Sequence, residues 1–150
     1  KIFFLGDSIY ENISLGNNKN SDPINLKKIL NFSELNNKSI NLDNIFSKKV
    51  EDSGKNLSGG EKQRIGIARA MYQNRDIIIL DEATSALDKD TEEKIITKLL
   101  SLDKTIISIS HNTNYIEKFD KILFFRSNSE IYCDNYNKLK SIKEIKELLI

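Results

Sequence analysis

The sequence predicts an α/β fold, and the pattern that begins at Leu57 carries that prediction. From there onward, segments with helical periodicity alternate with short apolar runs, which favours a layered sheet with parallel strand pairs. The expected helices cover residues 59–72, 91–101, 112–118 and 137–149, and the expected strands cover residues 76–80, 105–109, 121–125 and 130–133. The last helix has Leu139, Ile142, Ile145 and Leu149 on one side. With 150 residues, the chain is long enough to bury a core.

The amino-terminal third of the chain predicts further helices. Asp22 is a favourable N-cap, and Pro23 fits the first turn of the helix that follows. That helix has an apolar stripe formed by Leu26, Ile29 and Leu30. An asparagine- and lysine-rich stretch, residues 36–44, separates it from a short helix expected around residues 45–46. The asparagine richness shows no repeat and no binding code, so it indicates no function.

The balanced charge of the chain argues against a polyanion as partner. The formal net charge is +1 and 30% of the residues are charged, whereas nucleic-acid-binding modules usually carry a strongly basic face. We therefore expect no nucleic-acid partner. The longest apolar runs span four residues, far fewer than the roughly 18 that a transmembrane helix needs. Cys133 is the single cysteine and no signal peptide opens the sequence, which favours a reducing cytoplasm.

Residues 57–64 have the sequence LSGGEKQR and start the helix expected at 59–72. A serine followed three residues later by glutamate, here Ser58 and Glu61, is typical of a capping box. The same helix start exposes unpaired amides and a partial positive charge, and Gly59 and Gly60 let an anion approach the backbone closely. The segment therefore predicts a helix cap and a candidate phosphate site, and one structure can serve both.

Asp81 and Glu82 directly follow the apolar run at residues 77–80. Such a run is expected of a strand that is covered on both faces. The two acids are then either solvated loop residues or, at the carboxyl end of a parallel strand, part of a ligand site. In a ligand site, Asp81 suits Mg²⁺, which favours few carboxylates and retains waters. Glu82 suits the orientation or deprotonation of an attacking water.

Two further segments follow in sequence. Residues 85–88, SALD, are consistent with a turn that caps the helix expected to start near Thr91, with Glu92 and Glu93 well placed in its first turn. His111 is the only histidine and follows the strand expected at 105–109. A lone histidine is more often structural than catalytic, but a place at a strand's carboxyl end leaves a role in a ligand site open.

Taken in order, these four motifs resemble those of ATP-binding cassette (ABC) proteins. Residues 57–64 resemble the signature, the strand that ends in Asp81 and Glu82 resembles Walker B, residues 85–88 resemble the D-loop, and His111 resembles the switch histidine. The resemblance implies the carboxyl-terminal portion of a P-loop NTPase (RecA-like) core plus the ABC helical subdomain. It places the helical subdomain at residues 1–72, ending in the signature helix, and the core portion at residues 73–150.

The phosphate-binding loop of the family, G-x-x-x-x-G-K-[ST], does not occur among the six glycines. The chain alone is therefore expected neither to bind ATP tightly nor to hydrolyse it. In the implied core, the strand before that loop lies between the strands at 105–109 and 121–125. We therefore expect the chain alone to expose apolar side chains such as Ile107, Ile109 and Leu123.

The resemblance also implies a role for each site residue and two ligands, ATP and Mg²⁺. In the family, Ser58, Gly59 and Gly60 would contact the γ-phosphate of ATP held by a second subunit. Asp88 would lie along the seam between the two subunits. Asp81 would hold Mg²⁺, Glu82 would act on the attacking water and His111 would contact the γ-phosphate.

Two segments favour the exporter type within the family: residues 1–13 and residues 50–54, in which Asp52 is a candidate contact to membrane helices. The implied partners are a second cassette, as a homodimer, and a transmembrane domain upstream in the same polypeptide. The implied location is the cytoplasmic face of a membrane, the bacterial inner membrane. Cargo stays open, with lipid-linked cargo favoured. The alternatives are a soluble ABC-type ATPase acting on DNA or ribosomes, and a non-enzymatic cassette relic that binds a partner.

Overall fold

A computed structural model describes residues 2–17, 22–36, 39–126 and 130–146. The chain has two compact units, residues 1–109 and 110–150. The first unit contains α1 (Ile9–Ser14), α2 (Pro23–Phe32), α3 (Gly59–Gln73), β1 (Ile77–Asp81), α4 (Lys89–Leu100) and β2 (Thr105–Ile109). The second contains β3 (Ile122–Phe125), β4 (Ile131–Asp134), α5 (Tyr136–Ser141) and α6 (Lys143–Lys146). This mixture confirms the α/β class, and the expected boundary at residue 72 stays a prediction.

Helix α3 packs against α1 and α2, and the three helices share one core. The side chains of Ser8 and Asp22 cap α1 and α2 by accepting from the amides of Glu11 and Asn25 at 3.1 and 3.0 Å. The buried side chains of this core include Ile9, Ile13, Leu26, Ile29, Leu30, Ile65 and Tyr72. The predicted N-cap and the predicted apolar stripe of α2 are thus confirmed.

The prediction of a short helix around residues 45–46 was wrong, because these residues lie in consecutive turns. The side-chain oxygen of Asn44 accepts from the amide of Asn41 at 3.0 Å, and that of Asn41 accepts from the amide of Asp43 at 3.0 Å. Such local bonds from asparagine to the backbone compete with a helix. Ile45 is nevertheless fully buried, so its apolar character serves the core rather than a helix.

Strands β1 and β2 form a two-stranded parallel sheet, as the alternating pattern predicts. One side of β1 is buried through Ile78 and Leu80. The exposed side carries the exposed isoleucine face, defined as Ile77, Ile79, Ile107 and Ile109. The prediction that this strand is covered on both faces was therefore wrong for this chain. A run of apolar residues shows that both faces tolerate burial, but the described elements cover only one of them.

The second unit contains the antiparallel pair of β3 and β4, together with α5 and α6. Its small core surrounds Leu139 and Ile145. The prediction of a single helix over 137–149 was wrong. The backbone at Ile142 is extended (ψ 113°), so α5 ends there. Ser141 contributes to that end by donating its hydroxyl to the Lys138 carbonyl at 2.6 Å. Leu149 lies outside the described residues.

The strands of this unit expose apolar side chains as well. Leu123, Phe125 and Ile131 are exposed. Together with Ile107 and Ile109, Leu123 confirms the exposure predicted from the sequence. Cys133 is a free, exposed thiol. None of the helices within the described ranges is both long and apolar enough to cross a membrane.

Candidate functional site

The amino terminus of α3 is built by a complete capping box. The hydroxyl of Ser58 accepts from the amide of Glu61 at 3.2 Å, and the Glu61 carboxylate accepts from the amide of Ser58 at 2.9 Å. Partial burial raises the pKa of Glu61, but hydrogen bonds from the backbone and hydroxyl of Ser58, together with a hydrogen bond from Ser39 and the charge of Lys48, hold that pKa below its ordinary value. The predicted cap is confirmed, and it leaves the first amides of α3, those of Gly59 and Gly60, without intrahelical acceptors.

Both glycines lie against the segment that follows β1. A Cβ added at Gly59 would lie 3.3 Å from the Cβ of Ala86, and one added at Gly60 would lie 3.3 Å from the Ala86 carbonyl oxygen. These distances are tighter than ordinary van der Waals contact. The glycines therefore allow residues 85–88 to approach the first turn of α3, in addition to leaving its amides accessible.

One side chain of α3 joins the helix to that segment through hydrogen bonds. The Gln63 side chain donates from Nε2 to the Glu82 carbonyl at 3.0 Å and to the Ser85 hydroxyl at 2.8 Å. Its Oε1 accepts from the amide of Ala86 at 2.7 Å. The start of α3 and residues 82–86 thus form one hydrogen-bonded arrangement.

Glu82 lies one residue beyond β1 in an unusual backbone conformation. Its φ is +48°, in the left-handed region, which costs a non-glycine residue about 1–2 kcal/mol. Its amide donates to the carbonyl of Ile109 at 3.0 Å, and its carbonyl accepts from the Ser85 hydroxyl at 3.0 Å. The side chain is half-buried. A strained residue held by several hydrogen bonds motivates a functional hypothesis.

Asp81 ends β1 and lies opposite Ile109, the last residue of β2. Its side chain is exposed, on the same side of the strand as Ile77 and Ile79. No cluster of three or more histidine, cysteine, aspartate or glutamate residues occurs in the part of the chain that the structure describes. A lone exposed carboxylate fits Mg²⁺ that arrives with a phosphate ligand and retains its waters, and it does not fit an all-protein metal cage.

Asp88 is the N-cap of α4. Its carboxylate accepts from the amide of Thr91 at 3.0 Å. That hydrogen bond is the main reason why the pKa of Asp88 lies below its ordinary value, with the Thr91 hydroxyl and the charge of Arg64 adding to the effect. The capping interpretation of residues 85–88 is therefore confirmed, with the helix beginning at Lys89.

The structure brings some of the predicted site residues together and leaves another apart. Ser58, Gly59, Gly60 and Glu82 belong to the arrangement that Gln63 and Ala86 connect. Asp81 and Asp88 flank it in sequence at the end of β1 and the start of α4. His111 is exposed and belongs to the second unit, so its predicted role stays a prediction.

Sequence reasoning missed the bridging role of Gln63 and a buried pair in the same loop. The hydroxyl of Thr84 donates to the carboxylate of Glu92 at 2.8 Å. Gln63 could have been found, because it lies one helical turn after Gly59 and so shares its face of α3. Nothing in the local pattern distinguishes Glu92 from the exposed Glu93 next to it.

The chain is similar in sequence to a family model and to known transport proteins. A family model described as "ABC transporter" matches residues 4–85. The chain is 38% identical over 122 residues to the pediocin PA-1 transport/processing ATP-binding protein of Pediococcus acidilactici, covering 81% of this chain and 17% of that protein. It is 33% identical over 140 residues to the ATP-dependent lipid A-core flippase of Aliivibrio fischeri, covering 92% of this chain and 24% of that protein.

A solved structure of a bacterial Atm1-family ABC exporter with ATP bound has the same fold. Its TM-score is 0.85 at 29% identity, and the match covers 99% of this chain and 26% of that one. The chain thus spans between 17% and 26% of the length of these three proteins. Its fold is a P-loop NTPase fold of the α/β class. The matched family model, the relatives and the solved structure show that this chain belongs to the ABC transporter family.

Proposed function

We propose that the protein carrying this chain hydrolyses ATP as the ATP-binding part of an ABC exporter or flippase. The observation that carries the proposal is that the start of α3, whose first amides lack intrahelical acceptors, is connected to a loop that contains a carboxylate. The first turn of α3, at Ser58–Gly60, is hydrogen-bonded through Gln63 to the loop that contains Glu82. Phosphoryl transfer needs both functions, because it depends on positioning and on stabilising charge. In a dimer, each chain would supply the helix start to one ATP and the carboxylate to the other.

The start of α3 binds phosphate oxygens of ATP held by a second cassette. The amides of Gly59 and Gly60 are free of intrahelical acceptors, and the partial positive charge of the helix start favours an anion. Ser58 is the N-cap of this turn, and its hydroxyl, which donates to the Glu61 carboxylate at 2.9 Å, would have to turn away from Glu61 to donate to a phosphate oxygen. A homodimer of cassettes would place two such sites across one interface, with Asp88 along the seam.

Glu82 accepts a proton from the attacking water or orients that water towards the γ-phosphate. A carboxylate in this role typically contributes about 10²- to 10⁴-fold to the rate. Asp81 would hold Mg²⁺, which would neutralise charge on the phosphate oxygens. His111, which follows β2 by two residues in sequence, is the residue we propose for the contact with the γ-phosphate.

The named activities of the relatives support a membrane-coupled role. One is named for pediocin PA-1 transport, one for lipid A-core flipping and one as an ABC exporter. We infer that a transmembrane domain, upstream in the same polypeptide, couples to residues 1–72 and that the cassette works at the cytoplasmic face of a membrane, the inner membrane if the source is bacterial. Because the two relatives are named for different cargoes at similar identity, cargo is not fixed by this chain, and lipid-linked cargo is the proposal to test first.

The proposal is tested by Glu82→Gln in the complete protein. The amide preserves the size of the side chain but cannot accept a proton, so we expect ATP turnover to fall by about 10²-fold or more while ATP binding is retained. Steady-state phosphate release and equilibrium binding of a fluorescent ATP analogue measure the two quantities. The same substitution at the exposed Glu93 of α4 is the matched control and is expected to leave both unchanged. Wild-type turnover by Glu82→Gln would contradict the proposal.

A further inference from the structure

Both the nitrogen and the oxygen of the Gln63 side-chain amide form hydrogen bonds with one short segment, residues 82–86. Nε2 donates to the Glu82 carbonyl at 3.0 Å and to the Ser85 hydroxyl at 2.8 Å, and Oε1 accepts from the Ala86 amide at 2.7 Å. A primary amide has two donor hydrogens and one acceptor oxygen. Both hydrogens and the oxygen are therefore committed to residues 82–86, so the side chain has one orientation.

The segment that Gln63 holds contains the strained residue. Glu82 has a φ of +48°, and its carbonyl accepts from both Gln63 and Ser85. A left-handed glutamate persists where its surroundings determine its backbone. Since the backbone sets the direction of the Cα–Cβ bond, the bond from Gln63 also limits the region that the Glu82 carboxylate can reach.

We propose that Gln63 is a positioning residue for Glu82. It holds the backbone of Glu82 so that the carboxylate is oriented towards the attacking water, and it ties that backbone to the helix whose first turn binds ATP. The inference rests on the proposed function, because it assigns Gln63 to the reaction in which Glu82 acts. Gln63 itself does not touch the substrate. We therefore expect its substitution to lower the turnover rate and to leave the affinity for ATP unchanged.

The first test is Gln63→Met in the complete protein. Methionine is unbranched, of similar length and a good helix former, but it can replace none of the three hydrogen bonds. We expect kcat to fall roughly 10- to 100-fold, as for other small misplacements of a catalytic group, with the KM for ATP within about threefold of wild type. A kcat equal to that of wild type would overturn the proposal.

The matched control is Gln73→Met at the other end of the same helix. Gln73 is half-buried like Gln63 and donates to the Ser14 carbonyl at 3.1 Å, so it also binds a neighbouring segment through its amide. Its partners lie in and after α1, away from residues 82–86. We expect Gln73→Met to retain the wild-type kcat. An equal fall of kcat in both variants would show a general effect on α3 and would overturn the positioning role.

A double-mutant cycle separates positioning from a merely structural role. If Gln63 acts through Glu82, Gln63→Met should cost nothing further in a protein that already carries Glu82→Gln, measured by single-turnover hydrolysis. An independent, additive loss would overturn the proposal. If Gln63→Met does not fold, Gln63→Glu is used instead. Glutamate keeps the oxygen that accepts from the Ala86 amide, but it replaces the donor to the Glu82 carbonyl with a second oxygen, which that carbonyl repels. The wild-type protein and Glu82→Gln alone test the proposed function, so its failure is distinguishable from failure of this inference.

Discussion

The hydroxyl of Thr84 donates a 2.8 Å hydrogen bond to the carboxylate of Glu92, and the two residues are only 8% and 6% exposed. Thr84 belongs to the loop after β1 and Glu92 to the first turn of α4. This pair connects the loop that contains Glu82 to a second helix, besides the connection through Gln63 to α3. The loop is therefore connected to both α3 and α4.

Thr84→Val should destabilise the protein by about 1–3 kcal/mol, because valine fills the same space but leaves a buried oxygen of Glu92 without this donor. Urea unfolding followed by circular dichroism measures the change. Thr105→Val, at an exposed position of β2, is the control and should stay within about 0.5 kcal/mol of wild type. Equal effects of the two substitutions would contradict a role for the buried pair.

Glu61→Gln should reveal a pH-dependent contribution of the capping box. Partial burial raises the pKa of Glu61, but the Ser58 hydrogen bonds, with smaller contributions from Ser39 and Lys48, depress it in the folded protein below 4.5. A depressed carboxyl pKa contributes stability that is fully present above the unfolded value and is lost as the pH falls through the folded value. The stability difference between wild type and Glu61→Gln should therefore be largest near neutral pH and shrink below pH 4.5. Urea midpoints measured across this range check it, and a difference that grows at acid pH would contradict it.

Ser58→Arg should abolish most of the ATPase activity of the complete protein, because a long cation at the start of α3 crowds the place proposed for the partner's phosphate. We expect a fall of about 10²-fold, similar to the loss of a single donor in other sites that stabilise developing charge. Ser101→Arg, at the exposed carboxyl-terminal cap of α4, introduces the same side chain at a different place and should leave the rate unchanged. An unchanged rate in Ser58→Arg would refute the proposed role in trans.

The isolated 150 residues should bind ATP weakly and should not hydrolyse it. They contain no G-x-x-x-x-G-K-[ST] sequence, whose backbone and lysine grip the phosphates in P-loop proteins. The start of α3 alone offers a few amides and a partial charge. Titration calorimetry checks this expectation, and a dissociation constant of about 1 μM or tighter would contradict it.

The isolated 150 residues should also self-associate. The exposed isoleucine face places four apolar side chains side by side on a sheet of two strands, and Ile79 alone is 64% exposed. Exposed strand edges next to apolar surface favour pairing with another chain. Light scattering should show oligomers that Ile79→Thr and Ile107→Thr together reduce, whereas Ile24→Thr, on the surface of α2, should not. A monomer at micromolar concentration would contradict the prediction.

Local rules predicted the parts of this chain that depend on neighbours in sequence. The N-caps at Asp22 and Ser58 follow from side-chain chemistry within three residues. The strands at β1 and β2 follow from apolar runs and their spacing along the chain. The same holds for the motifs that led to the family, since each is a short run of consecutive residues.

The features that sequence reasoning missed depend on contacts between distant residues or on competing local bonds. Gly66 weakens α3 by about 0.5–1 kcal/mol relative to alanine, yet a Cβ there would lie only 2.9 Å from the Cδ1 of Ile2. No pattern around residue 66 shows that contact. The break at Ile142 and the turns near Ile45 were missed because serine and asparagine side chains satisfied backbone groups that a helix would have used.

The left-handed backbone at Glu82 limits which residues natural variation can place there. A branched Cβ, as in valine, isoleucine or threonine, makes this conformation a severe outlier, whereas glycine, asparagine and aspartate adopt it most readily. A descendant of this protein that gave up catalysis would therefore be expected to show one of those three residues, or glutamine, at position 82. The backbone conformation at position 82 would then restrict which substitutions lead to an inactive cassette, as the chemistry of the side chain does.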